Sequence, residues 1–109
     1  MKKIDKIKIN LNSTIKQALK VISKGAIHIA VVVDNKDKFI GTLSDGDIRR
    51  GLLKGLDINS SINSIISKKP LFVDKNETNE NILNIALTNK VYQIPVIDKN
   101  RRIIDIHVL

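Results

Sequence analysis

Apolar and polar residues follow patterns in the first third of the chain that predict a strand, a helix and a second strand. Residues 6–9 alternate between polar and apolar, as a half-buried strand does. From Ile15 the apolar residues recur at i, i+3, i+4 and i+7, which predicts one buried helix face. We expect Gly25 to end this helix in the left-handed conformation. Residues 26–33 are almost continuously apolar, which is typical of a strand buried on both faces.

The same patterns predict the remaining elements. Turn-forming residues at 34–37 precede a predicted return strand at 38–43 and a helix at 46–54. A polar connector follows, with apolar residues spaced for one short helix. The second half then predicts a strand at 71–73, a helix from its cap at 76–79 to residue 89, and strands at 91–97 and 102–108.

The two halves are copies of one unit, displaced by 64 positions. The shift superposes identical residues without a gap: Asn12 on Asn76, Thr14 on Thr78, Leu19 on Leu83, Val32 on Val96, Asp34 on Asp98 and Ile40 on Ile104. A repeated unit usually buries its apolar face against its copy. We therefore predict an α+β fold of two β-α-β-β-α repeats with internal pseudo-two-fold symmetry and a ligand cleft between them. Repeat 1 would span residues 1–56, the connector 57–70, and repeat 2, truncated before its last helix, 71–109.

Composition limits the class of protein. A chain of 109 residues is one domain, and with 3% aromatic residues its core must consist of Ile, Val and Leu. The absence of cysteine excludes disulfides and Cys-ligated metal sites. The sequence shows neither a signal peptide nor a run that could span a membrane, so we expect a cytoplasmic protein. Because it stops in an apolar strand, we expect a fragment of a longer protein or a degenerate second copy.

The net charge of +8 raises the possibility of nucleic-acid binding. Most lysines are scattered singly, however, and aromatic residues are not interleaved with them as a stacking platform requires. A solvated basic surface is therefore the favoured interpretation. Nucleic-acid binding remains the least favoured alternative.

The sequence does not predict catalysis by this chain alone. His28 lies within the apolar run and is expected to be a packed core residue, and His107 lies in the last strand. A nucleophile elbow and the known glycine-rich nucleotide motifs are absent from the sequence. We assign no catalytic residue and no metal ligand.

Residues 41–50 lie at the second predicted strand-to-helix junction and could form an anion site. The backbone N–H groups of a first helical turn have no partner within the helix and can bind an anion. Gly41, like Gly46, would allow close approach of the backbone to a ligand. Ser44 could bind a phosphate oxygen, and Arg49 or Arg50 could add a charge-assisted contact.

Asp47 could accept a hydrogen bond from each hydroxyl of a ribose. Ser44 and Asp47 also form a capping-box pattern, which needs no ligand. The residues alone leave both interpretations open.

Together these segments resemble a tandem pair of CBS domains, a Bateman module. The likeness covers nearly the whole chain. It rests on the helix starts at Thr14 and Thr78, the strand end Val32-Val33-Asp34 with its counterpart Ile94-Pro95-Val96-Ile97-Asp98, the connector at 61–70, and a match of Gly41-Thr42-Leu43-Ser44-Asp45-Gly46-Asp47 to the family signature Gly-x-x-Ser/Thr-x-x-Asp.

The resemblance implies a regulatory sensor that needs no cofactor and binds AMP, ADP, ATP or another nucleotide between its repeats. Carried over by position, Ser44 would contact the phosphate and Asp47 the ribose. The adenine would lie near Ala30-Val31 and Ile94-Pro95. In the second copy Asp105 replaces Gly41 and Val108 replaces Ser44, so we expect one site per chain.

The resemblance also implies partners. Two such modules usually pack into a flat disk, so we expect a homodimer. The variant Ser-Asp-Gly-Asp-Ile-Arg-Arg at residues 44–50 is similar to modules attached to sugar-phosphate isomerases and sugar nucleotidyltransferases. We therefore expect a linked catalytic domain, with a nucleotidyltransferase the first candidate. A dimerisation scaffold that has lost its ligand is the alternative function.

Overall fold

The structure, a computed structural model, describes residues 3–25, 27–67 and 69–109. The described elements are helices and short strands in an α+β arrangement, with two short 3₁₀ helices at Lys3–Lys6 and Ile62–Ser64. In chain order they are β1 (Lys8–Asn10), α1 (Ile15–Gly25), β2 (Ile29–Val33), β3 (Phe39–Ser44), α2 (Asp45–Leu53), α3 (Asn79–Asn89), β4 (Gln93–Ile97) and β5 (Ile103–Val108).

The strands form one sheet in each repeat. β1 pairs in parallel with β2, which pairs antiparallel with β3. β4 and β5 form the antiparallel pair of the second repeat, and a parallel bridge joins Val73 to Val96. The predicted α+β fold with a short second repeat is confirmed.

The 64-residue repeat is preserved in the register of the strands. Each β2–β3 pairing recurs in β4–β5, and both pairs change register at the corresponding step, Val32/Val33 and Val96/Ile97. The equivalent partners include Ile29↔Ser44 with Gln93↔Val108, Val32↔Gly41 with Val96↔Asp105, and Val33↔Phe39 with Ile97↔Ile103.

The turn between the strands of each repeat is built on an aspartate. The Asp34 carboxylate accepts hydrogen bonds from the backbone N–H groups of Lys36 (2.8 Å) and Lys38 (3.0 Å). Asp98 makes the same pair of bonds in the second repeat. The backbone hydrogen bond from Lys38, aided by the one from Lys36 and by the two lysine charges, lowers the pKa of Asp34 below its ordinary value of 3.8.

The two repeats share a core. A cluster of buried side chains lies between the sheets and takes residues from both repeats, among them Ile7, Val31, Phe39, Ile103 and Ile106. The backbone N–H of Phe39 also donates to the carbonyl of Arg101 across this interface (2.7 Å). The prediction that the copies bury their apolar faces against each other is therefore confirmed.

Two predictions at the start of β2 are wrong. Gly25 ends α1 without adopting a positive φ, and an ideal Cβ there would lie 2.9 Å from the Cγ2 atom of Ile7, so it is close packing that requires glycine. His28 lies before the strand, with φ 69° and a side chain that is 77% exposed. Histidine is among the non-glycine residues enriched in this conformation. The buried strand begins only at Ile29, and Ala26 lies outside the described residues.

The connector and the segment after it contain less regular structure than predicted. The connector helix is reduced to the 3₁₀ turn Ile62–Ser64, because connector backbone groups bond to other elements: Ile62 N–H to Ser13 C=O and Ser67 N–H to Thr42 C=O. The strand predicted at 71–73 is reduced to the bridge at Val73. Phe72 instead packs edge-on against Phe39, with ring centroids 5.7 Å apart.

Replacing Gly41 with alanine is expected to lower the free energy of unfolding by about 1–3 kcal/mol, as overpacking does. An ideal Cβ at this position would overlap the carbonyl oxygen of Ser67, so the backbone would have to shift. Gly46→Ala is the matched control, since its Cβ would lie 3.4 Å from the nearest atom, the end of the flexible Arg50 side chain. Thermal unfolding measures both variants. Equal melting temperatures would contradict the close contact at Gly41.

Asp34 is expected to make stability fall at acid pH. Because the folded-state pKa of Asp34 is lowered, its stabilisation is complete above the unfolded-state value and is lost as the pH falls through the folded-state value. Urea unfolding of the wild type and Asp34→Asn, from about pH 6 to about pH 2, should therefore show a steeper acid loss in the wild type. Parallel pH profiles would show that Asp34 contributes nothing.

Candidate functional site

A cleft of about 470 Å³ lies between the repeats, where the end of β3 meets the region between α3 and β4. The first repeat contributes Ile29, Thr42, Ser44 and Asp47 to its lining. The connector contributes Ser67, Lys69 and Pro70, and the second repeat contributes residues that include Lys90, Tyr92, Gln93 and Pro95. The cleft predicted between the repeats is therefore present, and both repeats form it.

Ser44 and Asp47 form a complete capping box at the start of α2. The Ser44 hydroxyl accepts a hydrogen bond from the Asp47 N–H (3.1 Å), and the Asp47 Oδ2 atom accepts one from the Ser44 N–H (2.9 Å). Ser44 has the extended backbone of an N-cap residue. The cap fixes the two polar side chains where β3 ends, so both are presented to the cleft. The capping and ligand-binding interpretations are thus compatible.

The two arginines lie outside the cleft lining. Arg50 donates through Nη2 to the Oδ1 atom of Asp47 (2.6 Å), and its side chain is 66% exposed. Arg49 is exposed. Gly46 lies beneath the Arg50 guanidinium, since its ideal Cβ would be 3.4 Å from Nη1. Gly41 is likewise covered by the chain itself, at Ser67. The atoms that approach these two glycines closely therefore belong to the protein itself.

The apolar residues predicted around the base are mostly buried in the cores. Ala30, Val31 and Ile94 have no exposed surface, because β2 and β4 are covered on both faces. Pro95 is also buried, with less than 2% of its surface exposed, although it borders the cleft. Ile29, which is 8% exposed, borders the cleft where Ala30-Val31 was predicted.

Sequence reasoning missed the cations and the aromatic ring of the cleft. Lys69 and Lys90 line it, and so does Tyr92, whose side chain is 66% exposed. Lys69 is the second of two consecutive lysines, and Lys90 has the left-handed conformation that ends α3. A lone lysine after a helix carries no sequence signal. Only the packing of the connector and the second repeat against the first places these residues in the same cleft as Ser44.

A side-chain contact bridges the repeats at the cleft. The Gln93 side-chain Nε2 atom donates to the backbone carbonyl of Ile27 at 2.7 Å. Gln93 occupies the position in β4 that Ile29 occupies in β2, since both pair with the last residue of the following strand. This bond links the beginning of β4 to the segment before β2, and so holds one side of the cleft in place.

The pseudo-symmetric equivalent of the cleft is a smaller hollow of about 220 Å³. Ile106 lines it at the position equivalent to Thr42, beside Ile7 and Ile27. Asp105 and Val108 stand where the first repeat has Gly41 and Ser44. The two hollows therefore differ in size and in polar groups, as the sequence asymmetry predicts, although the number of ligand sites stays a prediction.

A third cavity, of about 560 Å³, lies at the turn between β4 and β5 and is lined by Phe72, Lys75, Asp98 and Arg101, among others. The Arg101 guanidinium lies over the Phe72 ring, 5.4 Å from its centroid. At the positions of the first repeat that correspond to Phe72 and Arg101, Lys8 Nζ donates to Asp37 Oδ1 (2.9 Å). Ser44 and Asp47 are not among the residues that line this cavity.

Within residues 3–25, 27–67 and 69–109, the acidic and histidine side chains form no cluster of three or more that could hold a metal ion. Over the same ranges, every helix is too short or too polar to cross a membrane.

A protein-family model described as "CBS domain" matches the chain twice, at residues 1–54 and at residues 62–106. The two matches cover most of the chain and correspond to the two structural repeats.

Among curated proteins, the chain is similar to an uncharacterised protein of Helicobacter pylori, with 37% identity over 59 residues that cover 54% of this chain and 18% of that protein. It is also similar to the inosine-5′-monophosphate dehydrogenase of Methanocaldococcus jannaschii, with 25% identity over 105 residues, 96% of this chain and 20% of the enzyme. The chain thus spans about a fifth of the length of these relatives.

Among solved structures, the fold is similar to the cytosolic domain of the Mg²⁺ channel MgtE, solved in complex with ATP. The TM-score is 0.80 at 20% identity, over 94% of this chain and 41% of that one. At this level of identity the likeness establishes the fold.

Proposed function

The chain belongs to the CBS domain family, and from this we propose that it is a regulatory module that binds an adenosine nucleotide in the cleft between its repeats. The observation that carries the proposal is the composition of the cleft. It combines the capped N-terminus of α2 with two lysines and an apolar wall that comes largely from the other repeat.

Ser44 and Asp47 keep the capacity to bind a ligand while they cap α2. The Ser44 hydroxyl uses an acceptor position for the cap, which leaves its proton for a phosphate oxygen. A carboxylate has about four acceptor positions, and Asp47 uses one for Ser44 and one for Arg50. Two positions remain for the two hydroxyls of a ribose.

Lys69 and Lys90 are the cations that we assign to the phosphates. Both line the cleft, whereas Arg49 and Arg50 do not. The base would lie against Ile29 and Pro95, with the exposed ring of Tyr92 available for stacking. This assignment replaces Arg49, Arg50 and the buried pair Ala30-Val31 in the site predicted from the sequence.

The relatives support two further parts of the proposal. A similar fold has been solved with ATP, which favours an adenosine nucleotide as the ligand. One relative is a dehydrogenase five times as long as the matched segment, which favours a linked catalytic domain. The Ser-Asp-Gly-Asp-Ile-Arg-Arg variant makes a sugar nucleotidyltransferase our first candidate for that domain. We also propose that the protein is cytoplasmic, as the similar domain of MgtE is cytosolic.

We further propose that the module forms a homodimer through its helices. Leu83 and Leu87 on α3 are 47% and 68% exposed, and Leu19 occupies the position of Leu83 in the first repeat. The internal repeat therefore places equivalent leucines on α1 and α3. A second copy related by a two-fold axis could cover both with the same surface.

Adenosine nucleotides are expected to raise the melting temperature of the chain. A nucleotide at about 100 times its dissociation constant adds about 2.7 kcal/mol, which is a shift of about 10 °C or more for a domain of this size. AMP, ADP and ATP should be tested by thermal unfolding with the wild type and Asp47→Ala. The proposal fails if none of the three shifts the wild type, or if Asp47→Ala keeps the full shift.

Ser44→Ala and Thr78→Ala separate binding from stability in this assay. Each substitution removes an N-cap, since the Thr78 hydroxyl accepts from the Asn81 N–H (3.1 Å) as Ser44 does from Asp47. Each should cost about 1 kcal/mol of stability. Only Ser44→Ala should also weaken nucleotide binding, because Thr78 is not among the residues that line the cleft.

Leu87→Glu is expected to convert the dimer to a monomer, because it places a charge in the proposed helix interface. Light scattering measures the mass. Ile58→Glu is the control, since Ile58 lies in the connector and is also an exposed apolar residue, at 47% against 68% for Leu87. A wild-type monomer, or a dimer that Leu87→Glu leaves intact, would contradict this interface. A dimer whose melting temperature does not change with any of the nucleotides would favour the scaffold alternative.

A further inference from the structure

We propose that Arg50 positions the Asp47 carboxylate for a ribose, and thereby makes the cleft select ribonucleotides over 2′-deoxyribonucleotides. The inference rests on the proposed nucleotide site and assigns Arg50 a role other than phosphate contact. Arg50 acts from outside the cleft and through Asp47, so it is a positioning residue.

Asp47 lies between two hollows, and Arg50 belongs to only one of them. The carboxylate lines the cleft on one side and, on the other, a hollow of about 330 Å³ that Arg50, Lys54 and Ser64 also line. The Asp47 side chain is 19% exposed, whereas that of Arg50 is 66% exposed. The guanidinium therefore reaches the carboxylate from the side away from the ligand.

Both oxygens of Asp47 are fixed by short hydrogen bonds. Oδ2 accepts from the Ser44 N–H at 2.9 Å, and Oδ1 accepts from Arg50 Nη2 at 2.6 Å. With the bond at Oδ2 alone, the carboxylate could still tilt about its last torsion, whose energy well is broad for an aspartate. The second bond removes this freedom. A diol needs two acceptors in one fixed plane, so the fixed carboxylate is complementary to a ribose.

The Arg50 guanidinium lies against the first turn of α2, at Gly46. An ideal Cβ at position 46 would lie 3.4 Å from Arg50 Nη1 and 3.7 Å from Nη2, so the guanidinium rests close above the helix backbone there. The guanidinium charge also offsets the Asp47 charge beside the place where the phosphates would bind. Without Arg50, the carboxylate would be both less ordered and more repulsive toward an anionic ligand.

Arg50 contributes little to stability by the same geometry. Its own side chain is 66% exposed in an i,i+3 ion pair with Asp47, and helix-surface pairs with a solvent-exposed member contribute little to folding. A variant at this position should therefore fold and melt like the wild type. A change in binding can then be attributed to the site.

Calorimetric titration with ATP and 2′-deoxy-ATP tests the proposal. The wild type should bind ATP about fivefold or more tightly than 2′-deoxy-ATP, as the loss of one hydrogen bond to a charged group predicts. Arg50→Gln should reduce this ratio to about one, and Arg50→Lys should restore part of it. Arg49→Gln, with the same charge change on an exposed neighbour, should keep the wild-type ratio.

The outcomes distinguish this inference from the proposed function. If Arg50→Gln keeps the wild-type ratio, Arg50 has no positioning role, although the nucleotide site stands. If the wild type binds neither nucleotide, the proposed function fails and this inference fails with it.

A measurement without ligand provides an independent check. The Ser44 amide resonance should move in Arg50→Gln in the same direction as in Asp47→Asn, and should stay in place in Arg49→Gln. An unmoved Ser44 amide in Arg50→Gln would overturn the positioning role.

Discussion

The structure depends on the burial of one apolar layer that two small repeats share. Each repeat is below the size at which a chain usually buries a sufficient core of its own. Val31 and Phe39 from the first repeat and Ile103 and Ile106 from the second lie in the same cluster. Because neither sheet can cover this face alone, the repeats must pack face to face. The cleft lies at the border of the shared layer, so it exists only in the packed pair.

The capping box links the stability of the first repeat to the proposed function. Ser44 ends β3 and caps α2, and the same hydroxyl lines the cleft. Asp47 returns the capping bond and lines the cleft as well. Sequence reasoning treated the cap and the ligand site as competing interpretations of one motif. The geometry shows that one pair of side chains can do both, because capping leaves donor and acceptor positions unused.

Only part of the candidate site could be predicted from local sequence. The motif around Ser44 and Asp47 is contiguous, so the sequence places it correctly at a strand-to-helix junction. An arginine is a residue type that commonly binds phosphate, yet Arg50 lies one helical turn after Asp47 and donates to that carboxylate instead. Val31 lies in the middle of β2, where it is fully buried, and the cleft is bordered instead by Ile29, the first residue of that strand.

The repeat, the order of its elements and the α+β fold can be read from the sequence alone, because the repeat displaced by 64 residues gives the same strand register and the same aspartate turn twice. The conformations of the connector and of the segment at Phe72 depend on packing, since their backbone and side chains contact other elements. Packing also determines which cations share the cleft with Ser44. Lys69 and Lys90 lie far from Ser44 in the chain, and no local pattern encodes a contact that depends on packing one repeat against the other.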